Sequence, residues 1–135
     1  MKVLAVDFGS KRIGLAVGNS QTRVATPLGQ IAAKNRRYVL EEILKRIGEF
    51  EIGHIVVGYP LNMDGSRGPA CVEVERFAAS LRKRAGLPVV LVDEKLSSFE
   101  AEEMGKEIEP DFRKRKVHLD SMAAQVILQT YFEQS

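Results

Sequence analysis

The sequence has few of the residues on which several classes of protein depend. It contains one cysteine, Cys71, which excludes an internal disulfide and a zinc site built from cysteines. Its apolar runs, such as residues 3–6 and 89–92, are far shorter than the roughly 20 residues that cross a bilayer, so we expect no membrane partner. Eleven glycines and five prolines are also too few for a collagen-like or low-complexity chain.

The length of the chain suits one globular domain, which we expect to span residues 1–135. From Met1 the chain runs directly into a strand-like pattern, without the charged segment, apolar stretch and cleavage site of a secretory signal. This predicts a cytoplasmic protein. The net charge is only +2, so binding to nucleic acid has to be argued from how the charge is distributed.

The charge is distributed unevenly along the chain. Through Leu40 there are seven basic residues and one acid. Residues 99–111 carry six acids and one base, and four bases follow at 113–116. Each block is either a solvated face or a binding surface, and composition leaves both interpretations open.

Hydrophobic periodicity predicts five short strands, at residues 3–6, 13–17, 28–31, 54–57 and 89–92. Helices are predicted from Asn35 to Gly48, from Pro69 to Gly86 and from Asp120 onward, with a weaker acidic helix at 98–107 and a mobile loop after Pro110. Three strands followed by alternating helices and strands predict an α/β fold. We expect a five-stranded mixed sheet, flanked by helices, whose first three strands are antiparallel and whose last two are parallel.

Two of the apolar strands run directly into acids. One is followed by Asp7 and the other by Asp93 and Glu94, while Asp120 opens the last helix. Ionised carboxylates avoid burial unless they are paired or bind a metal, and open α/β sheets place ligands at the carboxyl ends of their strands. Mg²⁺ and Mn²⁺ favour such oxygen ligands. These residues leave two interpretations open: a metal site, or a turn and two helix caps.

The segment DFGSKRIGLAVG, residues 7–18, places an Asp-x-Gly turn between two strands. Such a turn lets the backbone approach a phosphate, and Lys11 and Arg12 could contact others. The same pattern opens the phosphate-binding turn of actin-like and sugar-kinase-like ATPases. Those enzymes use two lobes, whereas this chain is long enough for one.

Four motifs follow one another along the chain. They are DFGSKRIGLA at 7–16, GYPLNMDGSRGP at 58–69, VDEKLSS at 92–98 and HLDSMAAQVIL at 118–128. In these motifs the chain resembles the YqgF/RuvX family of RNase H-like proteins, which is related to the RuvC Holliday junction resolvases and includes proteins named as pre-16S rRNA nucleases. The resemblance covers nearly the whole chain, and four ordered motifs are far more specific than one.

The resemblance implies an RNase H-like fold and a catalytic metal site formed by Asp7, Glu94 and Asp120. This site would hold Mg²⁺ or Mn²⁺ as two ions about 4 Å apart, bridged by Asp7. Asp93 could replace or support Glu94, but successive strand side chains point to opposite faces, so one of the two is expected to bind the metal pair. The implied activity is a metal-dependent endonuclease that hydrolyses phosphodiester bonds and processes the 5′ end of pre-16S ribosomal RNA.

Basic side chains near the motifs are the candidate contacts to the nucleic-acid backbone. They are Lys11, Arg12, Arg67, Lys95, Arg113, Lys114, Arg115 and Lys116. Lys95 stands where many relatives have arginine, which keeps the charge but loses a bidentate phosphate contact. A solubilising surface is the alternative for all of them, and Asn62 and Asp64 either line a substrate groove or form an ordinary turn.

Two other functions remain open for the same fold. One is a Holliday junction resolvase that acts on four-way DNA, and the other is a non-catalytic RNA-binding factor of ribosome assembly. The expected partners are therefore pre-ribosomal RNA or branched DNA, and ribosomal precursor particles. The chain is expected to be a monomer or a homodimer, since symmetric resolution of a junction requires a dimer.

Overall fold

The computed structural model describes residues 1–9, 11–62, 64–93 and 112–134, with the backbone but not the side chains of 112–121. This part of the chain contains five strands: β1 (Lys2–Phe8), β2 (Arg12–Asn19), β3 (Val24–Ala32), β4 (His54–Tyr59) and β5 (Val89–Asp93). It also contains three helices: α1 (Arg36–Glu49), α2 (Pro69–Ala85) and α3 (Phe112–Gln134). Glu94, Lys95 and the acidic helix predicted at 98–107 lie outside the described residues.

The strands form one sheet in the order β3-β2-β1-β4-β5. β2 pairs antiparallel with β1 and β3, whereas β4 pairs parallel with β1 and β5, so the predicted mixed sheet is confirmed. The turn between β1 and β2 needs a glycine: the Gly9 N–H donates to the Arg12 carbonyl at 2.9 Å, and a Cβ at Gly9 would lie 2.6 Å from that oxygen. The geometry of the β1–β2 hairpin therefore explains the glycine at position 9.

The first two helices begin where the sequence predicts, and α2 also ends there, whereas α1 continues through Gly48 to Glu49. Asn35 caps α1 because its side chain accepts a hydrogen bond from the Tyr38 N–H at 2.8 Å. Pro69 occupies the first turn of α2, and Gly86 ends it with a φ of 67°, a conformation that favours glycine.

The last helix is longer than predicted. It begins at Phe112 rather than at Asp120, so the basic residues 113–116 lie on a helix and the loop expected there is wrong. No glycine or proline follows Pro110 in this segment, and arginine and lysine are good helix formers. Asp120 lies inside α3, so its interpretation as a helix cap is also wrong. Within the described residues, none of the helices is long and apolar enough to cross a membrane.

Side-chain alternation divides the core between the two faces of the sheet. Leu4 and Val6 pack against α1 and α2 on one face, which we call the α1/α2 face. Val3 and Ala5 pack against α3 on the other, the α3 face. Because neighbours in a strand point to opposite sides, the next residue of β1, Asp7, belongs to the α3 face.

Candidate functional site

Asp7 lies half-buried at the carboxyl end of β1, opposite Gly14 of β2. β1, β4 and β5 run parallel, so their carboxyl ends share one edge of the sheet. We call this the carboxyl edge. Asp7 therefore stands at the edge where open sheets of this kind place ligands, and it faces α3.

Counted from a common row, the rises along α3 and β1 put Asp120 at about the level of Asp7. A Cβ at Gly18 would lie 3.1 Å from Leu128 Cδ2, and Gly18 pairs with Val3, so Leu128 lies over the row of Val3. From Val3 to Asp7 the strand rises about 13 Å. From Leu128 back to Asp120 the helix rises about 12 Å.

The direction of α3 agrees with this placement. Near its C-terminal end, Tyr131 stacks on His54, the first residue of β4, with ring centroids 5.4 Å apart. The helix therefore runs from the carboxyl edge towards the opposite edge. Asp120 lies one turn before Ala124, which is fully buried against the sheet, so both positions share the sheet-facing side of the helix.

Gln30 joins the same face through a bulge that the sequence analysis did not anticipate. The β2–β3 register shifts between Leu15 and Ala16, and Gly29, with a φ of 100°, supplies the conformation that this irregularity needs. Gln30 consequently pairs with Gly14, the residue opposite Asp7. The available sequence signal was a glycine inside a predicted strand, which often marks a bulge.

The side-chain oxygen of Gln30 is buried and accepts no hydrogen bond from the described residues. Buried polar atoms of native proteins nearly always have a partner, so an oxygen without one calls for an explanation. Asp7, Gly14 and Gln30 form one row across three strands, and the middle residue has no side chain. A cation or an ordered water in this row would satisfy the oxygen.

The two basic residues of the first motif differ in position. Arg12 is half-buried at the start of β2 and belongs to the α3 face, because it is two residues from Gly14. Lys11 is exposed in the turn. Arg12 therefore places a positive charge on the face that carries Asp7.

Asp93 lies on the other side of the sheet. Val92 packs with α3, whereas Leu91 packs in the α1/α2 cluster, so Asp93 belongs to the α1/α2 face. It is exposed at the end of β5 and pairs with Tyr59. Asp7 and Asp93 thus share an edge but not a face.

Arg67 is engaged in an ion pair. Its Nε lies 2.9 Å from Glu75 Oε2 and 3.0 Å from the Tyr59 hydroxyl oxygen, and its Nη2 contacts the second Glu75 oxygen. The Tyr59 hydroxyl also donates to Glu75. Hydrogen bonding to Arg67 lowers the pKa of Glu75, and hydrogen bonding to Glu75 raises the pKa of Tyr59. A phosphate contact by Arg67 would have to compete with Glu75.

The loop after β4 is held by its own polar residues. The Asn62 N–H donates to the Ser66 carbonyl at 2.9 Å, and Asp64 Oδ1 accepts from the Ser66 N–H at 2.9 Å and from its hydroxyl at 2.6 Å. These bonds favour the turn interpretation of Asn62 and Asp64.

The donor set on the α3 face fits a divalent cation. Among residues whose side chains are described, no three histidine, cysteine or acidic residues form a metal-binding group, but that set leaves out Glu94 and Asp120. Asp7 contributes a carboxylate, and Gln30 contributes a buried amide oxygen to which no described residue donates a hydrogen bond. Mg²⁺ and Mn²⁺ prefer oxygen ligands of both kinds.

A family model described as RuvX, Holliday junction resolvase, matches residues 1–134. The chain belongs to the RuvX family. A protein of Maridesulfovibrio salexigens named "Putative pre-16S rRNA nuclease" is 44% identical over 131 residues, which are 97% of each chain. A protein of Geobacillus kaustophilus with the same name is 42% identical over 135 residues, 98% of each chain. The family resemblance carried by the four motifs is confirmed, as is the prediction that the chain belongs to a nuclease family.

Solved structures share the fold at low sequence identity. The RuvC of Thermus thermophilus in complex with a Holliday junction substrate superposes with a TM-score of 0.60 at 17% identity, covering 99% of this chain and 94% of that one. The Holliday junction resolvase of fowlpox virus gives 0.61 at 15% identity and covers 100% of both chains. The predicted fold class is therefore confirmed.

Proposed function

We propose that this chain is a divalent-metal-dependent endonuclease that hydrolyses phosphodiester bonds of precursor 16S ribosomal RNA at its 5′ end, in the cytoplasm. The proposal is supported by the rises along β1 and α3, which put Asp120 at about the level of Asp7 on one face of the sheet. The names of the relatives at 44% and 42% identity support the RNA substrate.

Asp7, Asp120 and Glu94 would hold the Mg²⁺ or Mn²⁺. We choose Glu94 over Asp93 because Asp93 belongs to the face opposite Asp7. A bound divalent ion would offset the charge of the scissile phosphate and polarise the attacking water. Gln30 Oε1 would accept a hydrogen bond from a water in the same row and so help to orient it.

The cationic residues would hold the nucleic-acid backbone around this centre. Arg12 lies on the same face, Lys11 is exposed in the adjoining turn, and Lys95 follows the proposed ligand Glu94 in the sequence. The helical residues 113–116 precede Asp120 by four to seven positions, so their backbone extends about 6 to 10 Å beyond it along α3. This segment would meet phosphates outside the carboxyl edge.

The helix predicts which of its cations act together. Positions three apart share a helix face, so Arg113 and Lys116 form one pair of positions, and the consecutive Lys114 and Arg115 form the comparison pair. Replacing the first pair by serine should reduce the slope of log affinity against log salt by about 1.4 on single-stranded RNA, and replacing the second pair should reduce it less. If neither pair changes the slope, the segment is a solubilising surface.

The decisive experiment compares two substrates and two variants, in each of which one aspartate is replaced by asparagine. A 5′ fragment of precursor 16S ribosomal RNA and a four-way DNA junction are incubated separately with the protein and Mg²⁺ or Mn²⁺. The wild type should cut the RNA, Asp7→Asn should not, and Asp93→Asn should cut it as the wild type does. An active Asp7→Asn protein would refute the assignment of the site.

The second candidate is resolution of four-way DNA, which the description of the matching family model favours. Cleavage of the junction alone, by a dimer in sedimentation experiments, would establish it in place of RNA processing. Salt-sensitive RNA binding with cleavage of neither substrate would instead identify an assembly factor that binds RNA without cutting it.

A further inference from the structure

A cavity of about 590 Å³ lies on the α1/α2 face, at the same edge of the sheet as Asp7. Phe8, Val39 and Phe77 form part of its apolar lining, and Arg36, Glu73 and Arg76 contribute polar and charged groups. Its size and its combination of an apolar lining with few polar groups are typical of sites for small organic ligands. The acidic site on the α3 face does not use it.

The apolar part of the cavity suits an aromatic ring. Phe8 follows Asp7 in β1 and packs edge-on against Phe77 of α2, with ring centroids 4.4 Å apart and an angle of 67° between the rings. Proteins that bind single-stranded nucleic acid place unstacked bases against such side chains, because every base has an apolar face.

The rim of the cavity supplies positive charge. Arg36 Nη2 donates to the Arg76 carbonyl at 3.0 Å and to the Ser80 hydroxyl at 2.8 Å, which fixes the guanidinium between the first turn of α1 and the middle of α2. The side chain of Arg76 is exposed. Guanidinium groups bind phosphate through paired N–H donors. The carboxylate of Glu73 at the same rim repels phosphate but can accept hydrogen bonds from ribose hydroxyls or a base amino group.

We propose that this cavity binds a single nucleotide, with its base against Phe8 and Phe77 and its phosphate at Arg36 and Arg76. Asp7 and Phe8 are consecutive in β1 and face opposite sides of one edge. A single strand of RNA that crosses this edge places one nucleotide in the cavity and a neighbouring phosphate on the side of Asp7. The path of an RNA strand across the edge rests on the proposed function. A free nucleotide has the same base and phosphate, and its binding in the cavity would not require that function.

Two pairs of substitutions at exposed positions of α2 distinguish an effect on this cavity from an effect elsewhere on the helix. Ala70 lines the cavity, so Ala70→Trp should fill it, and Ala79→Trp on the same helix is the matched control outside the lining. Arg76→Glu reverses a charge at the rim, and Lys83→Glu makes the same change of charge away from it. Thermal unfolding of all four variants checks that each is folded.

Binding is measured in EDTA, so that no metal is bound and no RNA is cut. The probes are a fluorescent ten-nucleotide RNA, followed by anisotropy, and AMP, followed by calorimetry. Ala70→Trp and Arg76→Glu should each weaken RNA binding about tenfold, the effect of losing one stacked base or its phosphate contact, and each control should bind as the wild type does. Replacing one nucleotide of the RNA by an abasic position should reduce the affinity of the wild type more than that of Ala70→Trp.

The outcomes separate the two sources of the nucleotide and the two proposals. Weaker RNA binding by the cavity variants identifies a nucleotide of a strand, while loss of AMP binding alone identifies a free nucleotide. If the cavity variants bind both probes as their controls do, the cavity proposal is wrong. Because binding is measured in EDTA, with no metal bound and no RNA cut, a failure of the nuclease assignment leaves this measurement intact.

Discussion

The packing of α3 on the sheet makes Gly18 a sensitive position. A Cβ at Gly18 would lie 2.6 Å from the Val24 carbonyl oxygen, 3.0 Å from Phe132 Cε2 and 3.1 Å from Leu128 Cδ2. The oxygen belongs to the neighbouring strand and cannot rotate away, while Phe132 and Leu128 are 2% and 0% exposed. Gly18→Ala therefore requires β3 and α3 to move.

Overpacking of this kind costs about 2 kcal/mol of unfolding free energy. For a chain of 135 residues, the entropy of unfolding converts that loss into a fall in melting temperature of about 7 °C. Gly48→Ala is the matched control, because a Cβ there meets nothing within 4 Å and Gly48 lies in α1. It should raise the unfolding free energy by about 0.5 to 1 kcal/mol.

Urea unfolding of both variants, followed by circular dichroism, measures the two effects. Because α3 also carries Asp120, a shift of this helix should reduce metal-dependent cleavage by Gly18→Ala under conditions where the variant is still folded. A Gly18→Ala protein as stable and as active as the wild type would show that α3 does not lie over Gly18 as described. The placement of Asp120 at the level of Asp7 would then lose its support.

Three further predictions concern charges. At a concentration 100 times its Kd, Mg²⁺ or Mn²⁺ should raise the melting temperature by about 10 °C in the wild type and in Asp93→Asn, but not in Asp7→Asn. Scanning fluorimetry measures this rise. If Asp93→Asn and Asp7→Asn lose it equally, the assignment of the two acids to opposite faces is wrong. Burial lowers the pKa of His54 below 6.5, so the stability it contributes is present above that pH and lost as the pH falls through the lower pKa of the folded state. Between about pH 7 and pH 5, the free energy of unfolding measured in urea should therefore fall more in the wild type than in His54→Gln. Equal falls in the two proteins would refute this. Because Glu75 raises the pKa of Tyr59, Glu75→Gln should return it towards 10.0 in an ultraviolet titration, where an unchanged value would contradict the hydrogen bond.

Short-range signals were enough to predict most of the fold. Asn35 before a run of helical periodicity, and Pro69 and Gly86 at the two ends of another, specify their helices through backbone geometry that a few neighbours determine. The order of strands and helices then predicts the parallel half of the sheet, since each connection passes through a helix.

Of the features that were missed, one was a local helix judged by its charge, and the other two depend on contacts between distant residues. The helix from Phe112 crosses a charged segment that looks like a loop when it is judged by composition alone. Gln30 reaches the face of Asp7 only because the bulge at Gly29 changes the alternation of β3, and a strand pattern does not reveal register. The partner of Arg67, Glu75, lies eight residues away on α2, so the ion pair exists only once the loop has folded back.

The alternation of β1 explains how one short strand can serve both sides of the protein. Its inner residues belong to two separate cores, so the direction of Asp7 and of Phe8 is set by the packing of Ala5 and Val6 before them. A one-residue slip of β1 would exchange the two faces, burying the carboxylate beside α1 and α2 and turning the aromatic ring towards α3. Because both cores oppose that slip, the acid and the ring are held on opposite sides of one edge. In the proposed complex this geometry lets a single RNA strand contact both without any movement of the sheet.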